Sequence, residues 1–478
     1  MRKHDRLYIG GEWVEPAGSG TIDVVSPHSE EVVGRVPEGT TADVDRAVEA
    51  ARTAFDHGPW PRMAPAERGA VLARLADLYE ARLDEVAGLI TAEMGAPLNF
   101  SQAAQAPLPQ RMLAYYGGLA DDVTWEETRP GLLGPSHVVR EPVGVAAAIT
   151  PWNVPQLLIV AKVAPALLAG CTAVVKPAPE TALDPYLLAE LAEEAGVPAG
   201  VLNIVAADRA VGEHLVTHPG VDHVSFTGST AAGRRIATLC GERLRGCSLE
   251  LGGKSAAILL PDADLAAYTG MLTLTTLLNN GQACIAQARV LAPRERYGEV
   301  VDALAERLAG LAVGDPADPS TDIGPLVSPA QRERVEGYIG IGRAEGARVV
   351  TGGGRPADRK RGHYVEPTLF ADVDNGMRIA REEIFGPVLA VIPYDDERHA
   401  IELANDSEYG LAGSVWTADP EHGVEVARRI HTGTCGVNVY NVDVNTPFGG
   451  RKASGMGREY GPEGLAEYLE YKTIPTLG

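Results

Sequence analysis

The chain has 478 residues, of which 45% are hydrophobic and 22% charged, and 64 acidic against 42 basic residues give a formal net charge of −22. That length exceeds what one hydrophobic core serves, so two or three domains are expected. The acidic balance argues against a nucleic-acid partner, which needs a basic face, and no stretch is long and uncharged enough to span a bilayer.

No leader-like apolar run follows Met1, so the chain reads as cytoplasmic. Cys171, Cys240, Cys247, Cys284 and Cys435 are few, odd in number and scattered, with no C-x-x-C pair. A disulfide framework is not expected. His214 and His218 have a metal-compatible helical spacing with His223 nearby, but Pro219-Gly220 would break the helix, which weighs against a metal site.

In chain order, the first periodic segment is 41–57, where Thr41 is read as a cap and Val44, Ala47, Val48 and Ala51 share a face. Residues 65–95 continue in helical style, giving two or three helices before Gly95. From Val143 the rhythm changes. Compact apolar runs at 143–149, 172–176, 201–205, 223–227 and from 248 read as strands. Helical segments at 157–168, 186–195, 211–216 and 230–240 separate them, each closed by Gly or Pro punctuation. Such alternation predicts a parallel sheet covered on both faces, in a Rossmann-like nucleotide-binding domain. A second alternating region from about 256 to 439 predicts a second α/β domain, with strands at 289–292, 348–350, 388–392, 412–416 and 436–439. The tail 469–475 reads as a strand that needs a sheet, either its own or a neighbour's, and 121–142 is the stretch that could pair with it.

Two segments carry chemistry. Asn279-Asn280-Gly281-Gln282-Ala283-Cys284 presents a thiol among small residues, and Leu249-Glu250-Leu251-Gly252-Gly253-Lys254 presents a carboxylate followed by two glycines that admit close approach. A thiolate nucleophile and a separate carboxylate base are the minimum equipment for making and hydrolysing a thioester. Alone, each has a blander reading: a buried apolar Cys, and an exposed strand-end Glu.

These two segments join Thr150-Pro151-Trp152-Asn153, Lys176-Pro177-Ala178, Phe226-Thr227-Gly228-Ser229-Thr230 with Gly233, Glu382-Glu383-Ile384-Phe385-Gly386-Pro387 and Pro447-Phe448-Gly449-Gly450 in one order along the chain. Together they resemble the aldehyde dehydrogenase superfamily over nearly the full length. The resemblance implies a mixed α/β fold with a cofactor-binding domain (1–120 and 143–252), a catalytic domain (253–452) and a small β oligomerisation element (121–142 and 465–478).

The resemblance also implies roles. Cys284 would be the nucleophile, Asn153 with the Cys284 backbone amide the oxyanion donors, and Glu250 the base for hydrolysis, with Glu459 aligned to a second, proton-relaying carboxylate. Thr150, Pro151, Trp152, Lys176, Ala178, Glu180, Gly228, Ser229, Gly233, Leu251, Glu383 and Phe385 would hold the nicotinamide cofactor. Val154, Leu158, Ala161, Val442 and Phe448 would line the substrate pocket. They are apolar, which suits an uncharged aliphatic, terpenoid or aromatic aldehyde better than a semialdehyde, whose carboxylate wants an Arg. NAD-preferring relatives carry a ribose-binding Glu where this chain has Pro179, with Glu180 one place later. The expected cofactor is NAD, with NADP left open by that departure. A homo-oligomer, dimer or tetramer, is also implied. A cysteine hydrolase would need no nicotinamide site, and a non-catalytic structural relative would not need Cys284, Glu250 and Asn153 together.

Overall fold

The computed structural model describes residues 2–477. Two large sheets organise it. In the first, strands Leu202–Ile204, Thr172–Lys176, Val145–Ile149, His223–Thr227 and Gly246–Glu250 lie side by side and parallel. Leu7–Ile9 and Glu12–Val14 extend one edge, and Gly455–Met456 closes the other, antiparallel to Gly246–Glu250. The chain starts this parallel set in the middle, at Val145–Ile149. It moves outward in one direction, then returns to lay His223–Thr227 on the other side. The crevice between the carboxyl ends of those two strands is the topological switch point, where sheets of this kind bind ligands. The Rossmann-like expectation holds, and Thr172–Lys176 and His223–Thr227 begin and end where the sequence placed them.

In the second sheet the order is Arg348–Thr351, Thr368–Ala371, Val388–Tyr394, Arg289–Pro293, Ala256–Leu259, Gly413–Trp416 and Gly436–Val437. All pairs are parallel except the first. Both faces are buried. Ile258, Leu291, Ala390 and Ile392 enter one core, while Ala257, Leu259, Val290, Ala292, Leu389 and Val391 enter the other. Side chains alternate across a strand, so apolar cores on both sides remove the polar half of the pattern. Ala256–Leu259 and Thr368–Ala371 are four residues each, too short for an apolar run to stand out, and are not among the predicted strands.

The helix Pro155–Ala169 is buried at every position, with Pro155 in its first turn and Gly170 ending it at φ +100°. It follows Val145–Ile149 after the short loop 150–154. One cap is corrected: Thr40, not Thr41, precedes the helix Thr41–Asp56, exchanging hydrogen bonds with Asp43 in a capping box. The tail strand Leu469–Pro475 pairs antiparallel with Ser136–Pro142 of its own chain, and that strand with Glu126–Arg129. The tail thus completes a local three-stranded sheet, and the Tyr471 and Ile474 side chains on it stay exposed. Among the described residues, no helix is long and apolar enough to cross a membrane. The five cysteines are free.

Candidate active site

The first sheet points its carboxyl edge at the amino edge of the second. Asn153 follows the strand Val145–Ile149, Lys176 ends Thr172–Lys176, Gly228 follows His223–Thr227 and Glu250 ends Gly246–Glu250. Cys284 precedes Arg289–Pro293, and Glu383 precedes Val388–Tyr394. Residues spread over more than two hundred positions therefore meet in one cleft.

The turn carrying Cys284 is held by its asparagines. Asn279 and Asn280 both adopt left-handed backbone, at φ 55° and 62°, a conformation asparagine tolerates better than most residues. Side-chain bonds hold them there. The Asn279 amide donates to the Asn153 carbonyl at 2.7 Å and accepts from Gln105 at 3.0 Å. The Asn280 amide donates to the carbonyls of Gly95 and Pro325 and accepts from the Gly324 amide. Gly281 sits at φ +74°, and a Cβ there would lie 2.3 Å from the Gly386 carbonyl. Asn153 itself is buried and donates through Nδ2 to the Gln282 carbonyl at 3.1 Å, which sets it beside the Cys284 turn.

Cys284 is partly exposed. Burial of its sulfur, and then the Glu383 and Glu250 carboxylates, push the thiol well above its ordinary range, while the Cys284 and Ile285 amides pull it down. Glu250 is buried, and neither carboxylate oxygen has a hydrogen-bond partner. Burial and the charge on Glu459 raise it well above the usual carboxylate range, opposed by the charges on Lys162 and Arg458. Both groups are thus shifted toward their neutral forms. Raising a carboxyl group in this way makes its ionised form a stronger proton acceptor.

Glu459 is buried beside this acid and forms an ion pair with Lys162, which also donates to the Thr227 hydroxyl at 2.7 Å. Lys162 was not singled out in the sequence, although a lone cation inside the apolar helical run was a readable signal. Gly449 leaves room here: a Cβ on it would lie 2.8 Å from Glu250 Oε1. Phe448 stacks on Tyr460 with ring centroids 5.2 Å apart.

A second cluster fits a dinucleotide. Glu383 accepts from the Gly253 amide at 2.9 Å, and a Cβ on Gly252 would lie 2.6 Å from its other oxygen, so the glycine pair cradles this carboxylate. The Trp152 and Phe385 rings meet edge to face at 5.5 Å. Ser229 caps the helix Thr230–Gly241, whose open amides suit a pyrophosphate. Gly233 packs on Leu251, where a Cβ would lie 2.5 Å from its methyl. Lys176 is buried and donates to the Pro177 and Ala207 carbonyls at 2.8 Å each, and burial lowers it to about 8. The Thr150 hydroxyl, at the switch point, is buried without a partner. Pro151 lies beside it half-buried, and Ala178 is buried after Lys176. Pro179 and Glu180 form a short 3-10 turn that leaves Glu180 exposed.

Leu158 and Ala161 are buried on the helix Pro155–Ala169, and Val154 precedes it half-buried. Val442 lines an outer cavity of about 500 Å³ with Leu108, Arg111, Tyr115 and Asp443. Tyr440, next to that loop, is buried within electrostatic reach of Cys284. His214 and His218 instead share Asp45, and His223 faces the Ser248 hydroxyl from inside the core.

The whole chain is similar to known proteins. The profile of the aldehyde dehydrogenase family matches residues 13–474. Geranial dehydrogenase of Castellaniella defragrans is 50% identical, with 99% of each chain covered. An aldehyde dehydrogenase of Mycobacterium tuberculosis, solved in complex with NAD+, superposes with a TM-score of 0.98 at 51% identity, covering 100% of this chain and 99% of its own. An aldehyde dehydrogenase C mutant from Pseudomonas syringae, solved with NAD+ and octanal, superposes at 0.95 with 42% identity, covering 98% and 96%. With one profile spanning almost every residue and full-length relatives at half identity, the chain belongs to the aldehyde dehydrogenase family.

Proposed function

We propose that this enzyme oxidises an uncharged aldehyde to a carboxylic acid with NAD, through a covalent thioester on Cys284. The observation that carries the reading is the meeting of the Cys284 thiol with the Glu250 and Glu383 carboxylates, across the cleft from the switch point. The Cys284 thiol gives its proton to solvent, its sulfur bonds to the carbonyl carbon, and the carbonyl electron pair moves to oxygen. The Asn153 amide and the Cys284 backbone amide receive that oxyanion, each worth roughly 3 kcal/mol in the transition state. Bound NAD supplies the hydride acceptor. Glu250 then takes a proton from water as it attacks the thioester carbon, and the carbon–sulfur bond breaks to release the acid. Glu459, paired with Lys162, is the candidate relay for that proton.

Glu383 holds the nicotinamide ribose in this reading, Gly228 and Ser229 the pyrophosphate, and Lys176 the adenosine ribose. Val154, Leu158, Ala161, Val442 and Phe448 line the substrate passage. The relatives named for geranial and solved with octanal support an apolar aldehyde. Exposed Arg111, on the outer cavity, favours a second reading in which the substrate carries a distal carboxylate. We assign 1–120 and 143–252 to the cofactor domain and 253–452 to the catalytic domain. The sheet at 121–142 and 465–478 is assigned to contacts in a homodimer or homotetramer.

A panel of geranial, hexanal, benzaldehyde and succinic semialdehyde, each with NAD and NADP and read by reduced cofactor at 340 nm, tests the reading. The apolar aldehydes with NAD are expected to give the higher kcat/KM. A clear preference for succinic semialdehyde would select the second reading, and a tenfold preference for NADP would overturn the cofactor assignment. Cys284→Ser is expected to abolish oxidation while NAD binding persists. Undiminished turnover in that variant would remove the mechanism.

A further inference from the structure

The adjacent parallel strands Ala256–Leu259 and Arg289–Pro293 each bring a buried cation to their amino ends. Lys254 stands two residues before the first, and Arg289 opens the second, in register with Ala256. Both are buried. The Arg289 guanidinium donates to neutral acceptors, the Lys254, Leu403 and Ala404 carbonyls and the Asn375 side chain, at 2.8–3.0 Å. None of these bonds brings a countercharge.

Lys254 has less. Its ammonium is buried with no hydrogen-bond partner among the described residues. The same holds for the hydroxyl of Ser255, the next residue, and for that of Thr432, from the turn after the helix Pro420–Arg428. Lys254, Ser255, Arg289 and Thr432 line one small cavity, whose other walls are mostly aliphatic. Its volume of about 10 Å³ admits the centre of a single water-sized occupant.

An ammonium has hydrogens to donate and no lone pair, and leaving it unpaired in the interior is costly. Burial, and then Arg289, lower Lys254 to about 7, while Glu383 and Glu382 pull the other way. An occupant that relieves this cost accepts hydrogen bonds and carries negative charge. Three donor groups border the space, more than the two lone pairs of a water can serve. Phosphate and sulfate exceed a one-sphere cavity.

We propose that this cavity is a binding site for one chloride-sized monovalent anion, held by the Lys254 ammonium and the Ser255 and Thr432 hydroxyls. The flexible four-carbon stem of Lys254 accommodates a radius slightly above that of water. The bound ion ties the turn at Thr432 to the segment that runs from Gly253, whose amide holds Glu383, into the strand Ala256–Leu259.

Crystals of the full-length enzyme grown in sodium bromide, with diffraction recorded at the bromine absorption edge, should show an anomalous peak in this cavity beside the Lys254 ammonium. In solution, thermal unfolding is compared in sodium bromide and sodium gluconate at equal ionic strength. Bromide should raise the Tm saturably. Thr432→Val, at a half-buried position, should keep the fold and need about tenfold more bromide for half the shift, the loss of one hydrogen bond to a charged group. Lys254→Met should abolish the shift, and if that variant does not fold, Thr432→Val carries the test. A cavity without anomalous signal, even one holding a water, would overturn the proposal. So would a bromide response of the same size and midpoint in the wild type and Thr432→Val, which would place the effective anion elsewhere.

Discussion

Lys162 and Glu459 form an ion pair that is almost wholly shielded from water, and its carboxylate in turn raises Glu250. The two residues are 297 positions apart in sequence. The pair joins the helix Pro155–Ala169 to the segment after Gly455–Met456, within electrostatic reach of the proposed base.

Lys162→Met should strand the Glu459 charge in the interior. Breaking a buried pair on one side costs about 3–5 kcal/mol, so denaturant unfolding should show a loss of that order. Removing the cation also removes one influence that lowers Glu250, so the base-dependent limb of the pH–rate profile should move to higher pH. Lys162→Met/Glu459→Gln, which removes both charges, should recover much of the stability. Equal instability in the single and double variants would mean that packing, not charge, is responsible.

Glu250→Gln should separate the two half-reactions. Carbon–sulfur bond formation and hydride loss need no proton transfer by Glu250 in the proposed scheme, but hydrolysis does. General-base catalysis contributes about 10²–10⁴-fold, so steady turnover should fall within that range while a stoichiometric burst of reduced cofactor survives. Mass spectrometry should then find the acyl group on Cys284. A variant with neither burst nor adduct would place Glu250 earlier in the reaction.

Lys176 gives a pH signature. Burial lowers its ammonium to about 8, so the group is charged below that pH and neutral above it. In the proposed site, a cation assigned to the cofactor is therefore lost as the solution becomes alkaline. The cofactor KM should rise as pH passes through about 8, and the inflection should vanish in Lys176→Ala. An inflection that persists unchanged in this variant would assign it to another group.

Two glycines should give opposite phenotypes. A Cβ at position 449 would meet Glu250 Oε1 at 2.8 Å, and one at 252 would meet Glu383 Oε2 at 2.6 Å. Gly449→Ala should slow hydrolysis and lower kcat with cofactor Kd little changed. Gly252→Ala should weaken cofactor binding while Cys284 still reacts with iodoacetamide at its ordinary rate. Calorimetric titration with NAD and thiol-labelling kinetics distinguish the two, and identical behaviour would contradict the separate roles of the two carboxylates.

The sequence by itself determined the residue types, their order and the strand–helix alternation of the first sheet. Those signals are local: apolar runs ended by Gly or Pro, and a thiol and a carboxylate each beside small residues. The amino-acid order also marked the tail strand and 121–142 as its partner, but not the register or whether the partner lay in its own chain, because pairing is a property of two segments and only the fold brings 136–142 alongside. Strands such as Ala256–Leu259 escaped notice because four residues buried on both faces offer neither alternation nor an apolar run of recognisable length. Tertiary structure alone decided what each functional group experiences. Glu250 looks like any strand-end glutamate until burial, Glu459 and the missing side chain of Gly449 surround it. Lys162 looks like one polar residue in an apolar helix until Glu459 arrives from the far end of the chain. Charge, solvation and close approach depend on neighbours in space, and those neighbours are distant in sequence.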